Sequence, residues 1–316
     1  MDIRSLRYFV TIAELGSFSA AARYLNVAQP ALSRQIKALE ARFATRLLVR
    51  SPRGIAVTAP GERLFRYGLS ILRQLEQVPA VIKDRDQPVT GLVTVGLPSS
   101  VSPILSLPLL ARAKEKVPGV RVHLVESLSG YLNEWVQTRR LDLAILFDAE
   151  PNLNHRLDAM LVEELCLVGE AGAFPAGMRS IPFAGLSGYP LVLPGMSHSL
   201  RRLLEAMARS HGVRLDVAYE VDSRAVVVRL ARAGDAFAIL AEGAVRDEIL
   251  SGRLRALKII EPRVSRSVSL AASVLPGGTP ACEEVRRVIL ELGRELQTTG
   301  AWKAAGQPAP VRPDET

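Results

Sequence analysis

Phe18 to Lys37 reads FSAAARYLNVAQPALSRQIK, and the organisation of the whole chain turns on it. Ala20, Ala21 and Ala22 favour helix and let another backbone pack closely. Tyr24 and Leu25 close that helix on an apolar edge. Asn26 tolerates a turn or left-handed conformation, and Pro30 suits the first turn of a new helix, where its missing N–H costs nothing. In this second helix Leu32, Ile36 and Leu39 recur at helical spacing and are expected to face inward. Gln29, Ser33, Arg34 and Lys37 then fall on the opposite face. The pattern is that of a helix-turn-helix, whose second helix enters the DNA major groove with its N-terminal residues against base edges. On spacing alone, an αα-hairpin in a helical bundle with a solvated polar face fits as well.

The flanks and the charge favour the first reading. Ile3, Leu6, Phe9, Val10, Ile12 and Ala13 predict an amphipathic helix ending at Gly16. Leu47 to Thr58 is two β-like runs around Ser51-Pro52-Arg53-Gly54, a plausible hairpin. A basic hairpin beside the helices makes the winged variety, with Arg50 and Arg53 placed to reach phosphates or the minor groove. Residues 1–58 hold nine Lys or Arg against three Asp or Glu, residues 59–88 five against four, and residues 89–316 twenty-six against twenty-five. Nearly all of the net charge of +8 therefore lies in the head of the chain, where it attracts polyanions through phosphate contacts and counterion release.

Residues 1–58 resemble the DNA-binding domain of LysR-type transcriptional regulators, through LRYFVTIAELGSFSAAARYLNVAQPALSRQIKALE and LLVRSPRGIAVTAPGE. Two departures stand out: Ala28 where many members have a helix-capping serine, and Ala44 in place of a common glycine. The resemblance implies a winged helix-turn-helix domain (1–58, motif 18–37), a long linker helix (59–88), and a two-lobed α/β effector domain like the periplasmic binding proteins (89–298). It also implies binding, as a homodimer or homotetramer, to an interrupted palindromic operator in double-stranded DNA. A small-molecule effector and RNA polymerase complete the implied partners. Gln29, Pro30, Ser33 and Arg34 would read or flank base edges, with Arg34 suited to guanine; Lys37, Arg50 and Arg53 would hold the backbone or enter the minor groove. VTVGLPSS, PLLARAKEKVPGVRV and SLSGYLNEWVQTRRLDLAILFD are similar to the subgroup around the nitrogen assimilation control protein.

The remainder supports this division. At 316 residues, 48% of them apolar and 5% aromatic, the chain is long enough for two or three domains. It has no apolar run near the roughly 18 residues of a membrane span and no signal-peptide pattern at its start, so a cytoplasmic location is expected. Leu64, Tyr67, Ile71, Leu75, Val78 and Ile82 form a narrow apolar seam that one helix cannot bury alone, so a partner is expected; Pro79 is expected to kink or end that helix. From Leu92 onward strands alternate with helices, which implies parallel β-α-β units. By the family pattern, 89–163 and 267–298 would build one lobe and 164–266 the other. The tail 299–316, with Pro308, Pro310 and Pro313, reads as disordered.

Ligands of open α/β sheets bind beyond the carboxyl ends of strands. Those ends carry Ser99-Ser100, Ser127 to Gly130, Phe147-Asp148 and Pro194 to Ser199. Hydroxyls at helix N-termini, where free N–H groups favour anions, suit a small carboxylate or similar anion, and the resemblance implies effector positions at Ser99, Ser100, Ser129 and Ser197, with Phe147 beside them and His198 either a contact or a polar rim residue. Each serine alone reads equally as an N-cap.

Catalytic motifs are missing: no G-x-G-x-x-G, P-loop, G-x-S-x-G or H-E-x-x-H occurs. Neither the four histidines nor Cys166 and Cys282 have metal-ligand spacing. No cofactor, metal or enzymatic activity is expected, although a transport-type binding protein or a cytosolic enzyme using the same α/β cleft remain alternatives.

Overall fold

The computed structural model describes residues 1–51, 54–82, 88–151, 155–273 and 279–305. Two compact units emerge, residues 1–87 with 138–140 and residues 88–137 with 141–316.

In the first unit, α1 (Ile3–Leu15) starts at Asp2, whose carboxylate accepts the Ser5 N–H at 2.7 Å, and stops at Gly16 with φ +61°. Ser17 caps α2 (Phe18–Tyr24), and Asn26 takes the left-handed conformation in the turn. α3 (Gln29–Phe43) opens at Ala28 with no side-chain cap and carries Pro30 in its first turn. It ends on Ala44 at φ 48°, a conformation that costs a residue with a Cβ roughly 1–2 kcal/mol. Ala28 thus leaves α3 without a side-chain cap, whereas Ala44 completes the C-terminal backbone bonds in a strained conformation.

β1 (Leu48–Ser51) and β2 (Gly54–Val57) pair antiparallel. Glu40 ties them to α3, accepting the Leu47 N–H at 2.8 Å, and the Ile55 N–H donates to the Gly16 carbonyl at 2.9 Å. A Cβ on Gly54 would lie 2.7 Å from that same oxygen, and φ there is +122°, so the hairpin approaches α1 only as glycine.

α4 (Ala59–Ile82) runs through Pro79, which does not end it. Leu72 joins the core of Leu6, Phe9, Leu32 and Ile36, with Leu64, Phe65 and Leu69 packed against it. Tyr67, Ile71, Leu75 and Val78 are exposed. The helix therefore has two apolar faces; of the seam read from the sequence, Tyr67, Ile71, Leu75 and Val78 lie on the uncovered one, Leu64 packs into the core, and the Ile82 side chain is outside the described residues.

The second unit follows the order β3 (Gly91–Pro98), α5 (Ser102–Lys116), β4 (Val120–Ser127), α6 (Ser129–Gln137), β5 (Leu143–Phe147), β6 (His155–Glu170) and β7 (Ser180–Pro182). It continues with β8 (Leu191–Leu193), α7 (Ser199–Ser210), β9 (Val217–Glu220), α8 (Arg224–Ala233), β10 (Phe237–Ala241), α9 (Arg246–Leu250), β11 (Leu254–Ile260), β12 (Ser265–Ser273) and α10 (Pro280–Thr298). The expected parallel β-α-β units are present, but they do not account for every strand. β3 pairs parallel with β4 and β5, and β8 with β9 and β10, but β6 and β12 are antiparallel to their neighbours. β6 is one long strand: as far as Glu164 it pairs with β12, and from Leu165 it pairs with β10 and β11. It thereby carries the chain from a first lobe, β4-β3-β5-β12-β6, to a second built on β6, β10, β8, β9, β11 and β7. β12 is the return path, and the Leu165 N–H bonds the Val264 carbonyl at 2.8 Å where the two strands cross.

The tail reading fails for 299–305. Trp302 is 1% exposed in the first-lobe core, because α10 reaches only Thr298 and the following turn folds back over it. Residues 306–316 lie outside the described residues.

Candidate nucleic-acid interface and ligand cleft

α3 has one buried stripe, Leu32, Ile36 and Leu39, and the opposite face is open. Gln29, Pro30, Arg34 and Lys37 are exposed and Ser33 is half-buried. Arg34 and Lys37 form no ion pair among the described residues. Gln35, also exposed, lies 3.2 Å from the Ser5 hydroxyl through its Oε1, a contact between α3 and α1. Arg50 sits on β1, with its side chain outside the described residues, as is the whole of Arg53.

In the second unit a cavity of about 50 Å³ lies at the carboxyl ends of the strands. Ser99 and Ser100 reach it from the turn after β3, His198 from the turn before α7, Asp222 from the turn after β9, Arg224 from the start of α8, and Arg266 from β12. Ser99, Asp222 and Arg224 also line a wider hollow of about 300 Å³ with Glu126 and Tyr131. The two together approach the size of a small-metabolite site.

Arg266 is the best-held group in the cleft. Its Nε donates to Glu163 Oε1 at 2.6 Å and its Nη2 to Ser100 Oγ at 3.1 Å, while the guanidinium stacks 3.4 Å from the centre of the Phe147 ring. Side-chain exposure is 4% for Arg266 and 2% for Glu163, so the pair is desolvated and fully committed. Phe147 thus supports the cation from beneath instead of lining the cavity. Arg224 is different: its Nη1 donates to the neutral Ala244 carbonyl at 2.9 Å, and it makes no ion pair among the described residues.

The expected serine caps are not where the sequence put them. His198 caps α7, its Nδ1 accepting the Leu200 N–H at 3.1 Å. Burial, and then the nearby Arg266 charge, push its pKa below the ordinary imidazole value, with Asp222 pulling the other way. A neutral ring with Nδ1 as acceptor results. Ser197 is exposed and does not line the cavity; Ser129 begins α6 with a buried hydroxyl that finds no partner among the described residues. Burial pushes Cys166 and Cys282 up to about 12, which leaves both as protonated thiols. Of the six residues expected at the ligand, then, Ser99, Ser100 and His198 line the cavity. Arg266, Glu163, Asp222 and Arg224 were missed; Arg266 and its carboxylate are 103 positions apart, and no local pattern signals the pair.

A winged helix-turn-helix head and a two-lobed α/β body are the architecture of a DNA-binding regulator, and comparison narrows the class. Residues 3–62 match the "Bacterial regulatory helix-turn-helix protein, lysR family" pattern and residues 86–294 the "LysR substrate binding domain", so the chain belongs to the LysR family of transcriptional regulators. It is 30% identical over 305 residues to the nitrogen assimilation regulatory protein nac of Klebsiella aerogenes, covering 94% of this chain and 99% of that one. It is also 32% identical over 254 residues to the regulator BbuR of Bordetella bronchiseptica, covering 80% and 78%. A full-length OxyR variant from Pseudomonas aeruginosa superposes with a TM-score of 0.72 at 20% identity, covering 98% and 99%. Full-length CbnR in complex with its target DNA gives 0.65 at 22%, covering 93% and 99%. The family and these relatives are transcriptional regulators, which removes the enzymatic alternative. No helix among the described residues is long and apolar enough to cross a membrane.

Proposed function

We propose that this regulator acts in the cytoplasm, binds an interrupted palindromic operator as a homodimer or homotetramer, and alters transcription by RNA polymerase when a small acid fills the cleft of its second unit. The open polar face of α3 over its buried Leu32, Ile36 and Leu39 carries this reading. Gln29, Pro30, Ser33 and Arg34 contact or flank base edges; Lys37, Arg50 and Arg53 hold phosphates or the minor groove. The uncovered seam of Tyr67, Ile71, Leu75 and Val78 on α4 supports pairing with a second copy. For the effector, Arg224 brings a guanidinium with no direct ion pair among the described residues, beside the hydroxyls of Ser99 and Ser100 and with Asp222 in the same lining. That favours an anion small enough for the cleft. The working division is 1–58 for DNA, 59–88 for pairing, and 89–298 for the ligand, split into lobes 89–163 with 267–298 and 164–266.

Selection of bound fragments from random duplexes tests the DNA reading. Arg34→Ala is expected to cost about 1–3 kcal/mol on the selected operator and to relax one base position. Equal loss on operator and random DNA would show that Arg34 does not read a base. Calorimetry with a panel of small organic acids tests the cleft; an acid that binds wild type and Arg224→Ala alike contradicts the placement.

A further inference from the structure

The turn after α10 crosses from one lobe to the other. On the first-lobe side Trp302 is buried, its Nε1 donating to Glu163 Oε2 at 3.1 Å, and the Ala305 N–H donates to the Val162 carbonyl at 2.6 Å. On the second-lobe side Lys303 pairs with Glu242 at 2.6 Å, and Arg246 Nη1 donates to the Gly300 carbonyl at 3.0 Å. Val162 and Glu163 lie on β6 just before Leu165, where that strand passes into the second lobe. Glu163 is opposite Arg266 in the ladder, so the carboxylate beside the crossing has one oxygen on the cleft cation and the other on the tryptophan.

We infer that Gly300–Ala305 is a strap across the hinge of the effector unit: it ties the two lobes together and, through Trp302 and Glu163, holds Arg266 against Ser100 in the cleft. Trp302 and Glu163 are positioning residues, which act on the cleft only through Arg266. The physical logic is one of satisfaction. A buried carboxylate needs partners for both oxygens, and here the second partner comes from a segment that is also anchored to the opposite lobe. Opening the hinge must pull on the strap, and releasing the strap must loosen the cation of the cleft. This inference deepens the effector reading of the cleft and rests on it for its consequence in regulation, but the strap itself is testable with no ligand present.

The experiment measures the distance between the lobes. Nitroxide labels are placed at Glu115→Cys on α5 and Arg209→Cys on α7, both exposed, in full-length protein diluted with unlabelled chain and free of ligand. The expected result is a single narrow distance population in the otherwise unaltered chain. Trp302→Ala should lose it in favour of a broad or longer one. Trp302→Phe, which keeps an apolar ring but not the N–H, should fall between. The surface double variant Lys303→Ala/Arg246→Ala removes the second-lobe anchors without touching the core and should broaden the population too. If Trp302→Ala fails to fold, that double variant decides alone. A distribution unchanged in the double variant, or in a folded Trp302→Ala, overturns the strap. Because no effector is added, such a failure is separate from failure of the effector reading, which would show as ligand-panel calorimetry without binding.

Discussion

Removing Glu163 tests two buried contacts of the cleft at once. Glu163→Ala takes away the carboxylate that neutralises Arg266 and leaves a guanidinium of 4% exposure without its counter-charge. It also strips Trp302 Nε1 of its acceptor. Breaking a buried pair by deleting one partner costs about 3–5 kcal/mol, because the remaining charge stays desolvated. For a unit of this size about 2–4 °C of Tm follows each kcal/mol, so the midpoint should drop by roughly 6–20 °C. Stacking on Phe147 and the Ser100 hydroxyl keep Arg266 from being wholly unsupported, which favours the lower half of that range. Urea unfolding followed by tryptophan fluorescence is the suitable assay, since Trp135 and Trp302, the two tryptophans of the chain, both belong to the second unit. The double variant Glu163→Leu/Arg266→Leu should recover most of the loss, as apolar replacement of a whole buried pair is often neutral. A loss under about 1 kcal/mol for Glu163→Ala, or a double variant worse than the single one, would refute a desolvated pair, because only a hydrated pair is worth so little.

Ala28→Ser should supply the missing cap of α3, since the backbone at residue 28 is already extended; about 1 kcal/mol of local stability is expected as slower amide exchange in the first turn. Ala44→Gly should raise the melting temperature of the first unit by relieving about 1 kcal/mol of left-handed strain, and no change in Tm would mean the turn carries no strain. His198 has a folded-state pKa below its ordinary value of 6.5. The unfolded chain therefore binds the proton more readily, and stability present above about pH 6.5 is lost as pH falls through that value toward the lower folded one. His155 is shifted the same way by burial. Consequently His198→Asn, which retains a capping oxygen, should reduce the acid slope of chemical-denaturation stability without abolishing it; an unchanged slope would contradict a half-buried neutral His198.

The helix-turn-helix was legible because its determinants act within a few residues. Pro30 has one place in a helix it suits, Asn26 tolerates the left-handed turn, Gly16 ends α1 at positive φ, and the spacing of Leu32, Ile36 and Leu39 selects the buried face. The alternation of strands and helices from Leu92 onward was legible for similar reasons, though not every strand in it was. β7 and β11 were missed, being short or mixed in polarity, and so was the full span of β6, whose first half lacks a clear period because His155, Arg156 and Asp158 interrupt its apolar residues.

The cleft was only half legible. Strand ends pointed to Ser99, Ser100 and His198, since ligand sites in α/β folds follow from strand direction, and direction follows from connection. Serine at a helix start was a poorer guide: His198 supplied the cap, and Ser197 was left facing solvent. Phe147 is at its strand end, yet its ring serves Arg266.

By itself, then, the amino-acid order determined the local elements, the basic head and the family. Tertiary structure alone decided that Arg266 meets Glu163, that Trp302 completes that carboxylate, and that a stretch reading as loose tail becomes part of the core. Capping, backbone angle and hydrophobic period are settled among neighbours in the chain. Which carboxylate neutralises a buried arginine is settled by where β6 and β12 cross, and that crossing exists only once the lobes have formed.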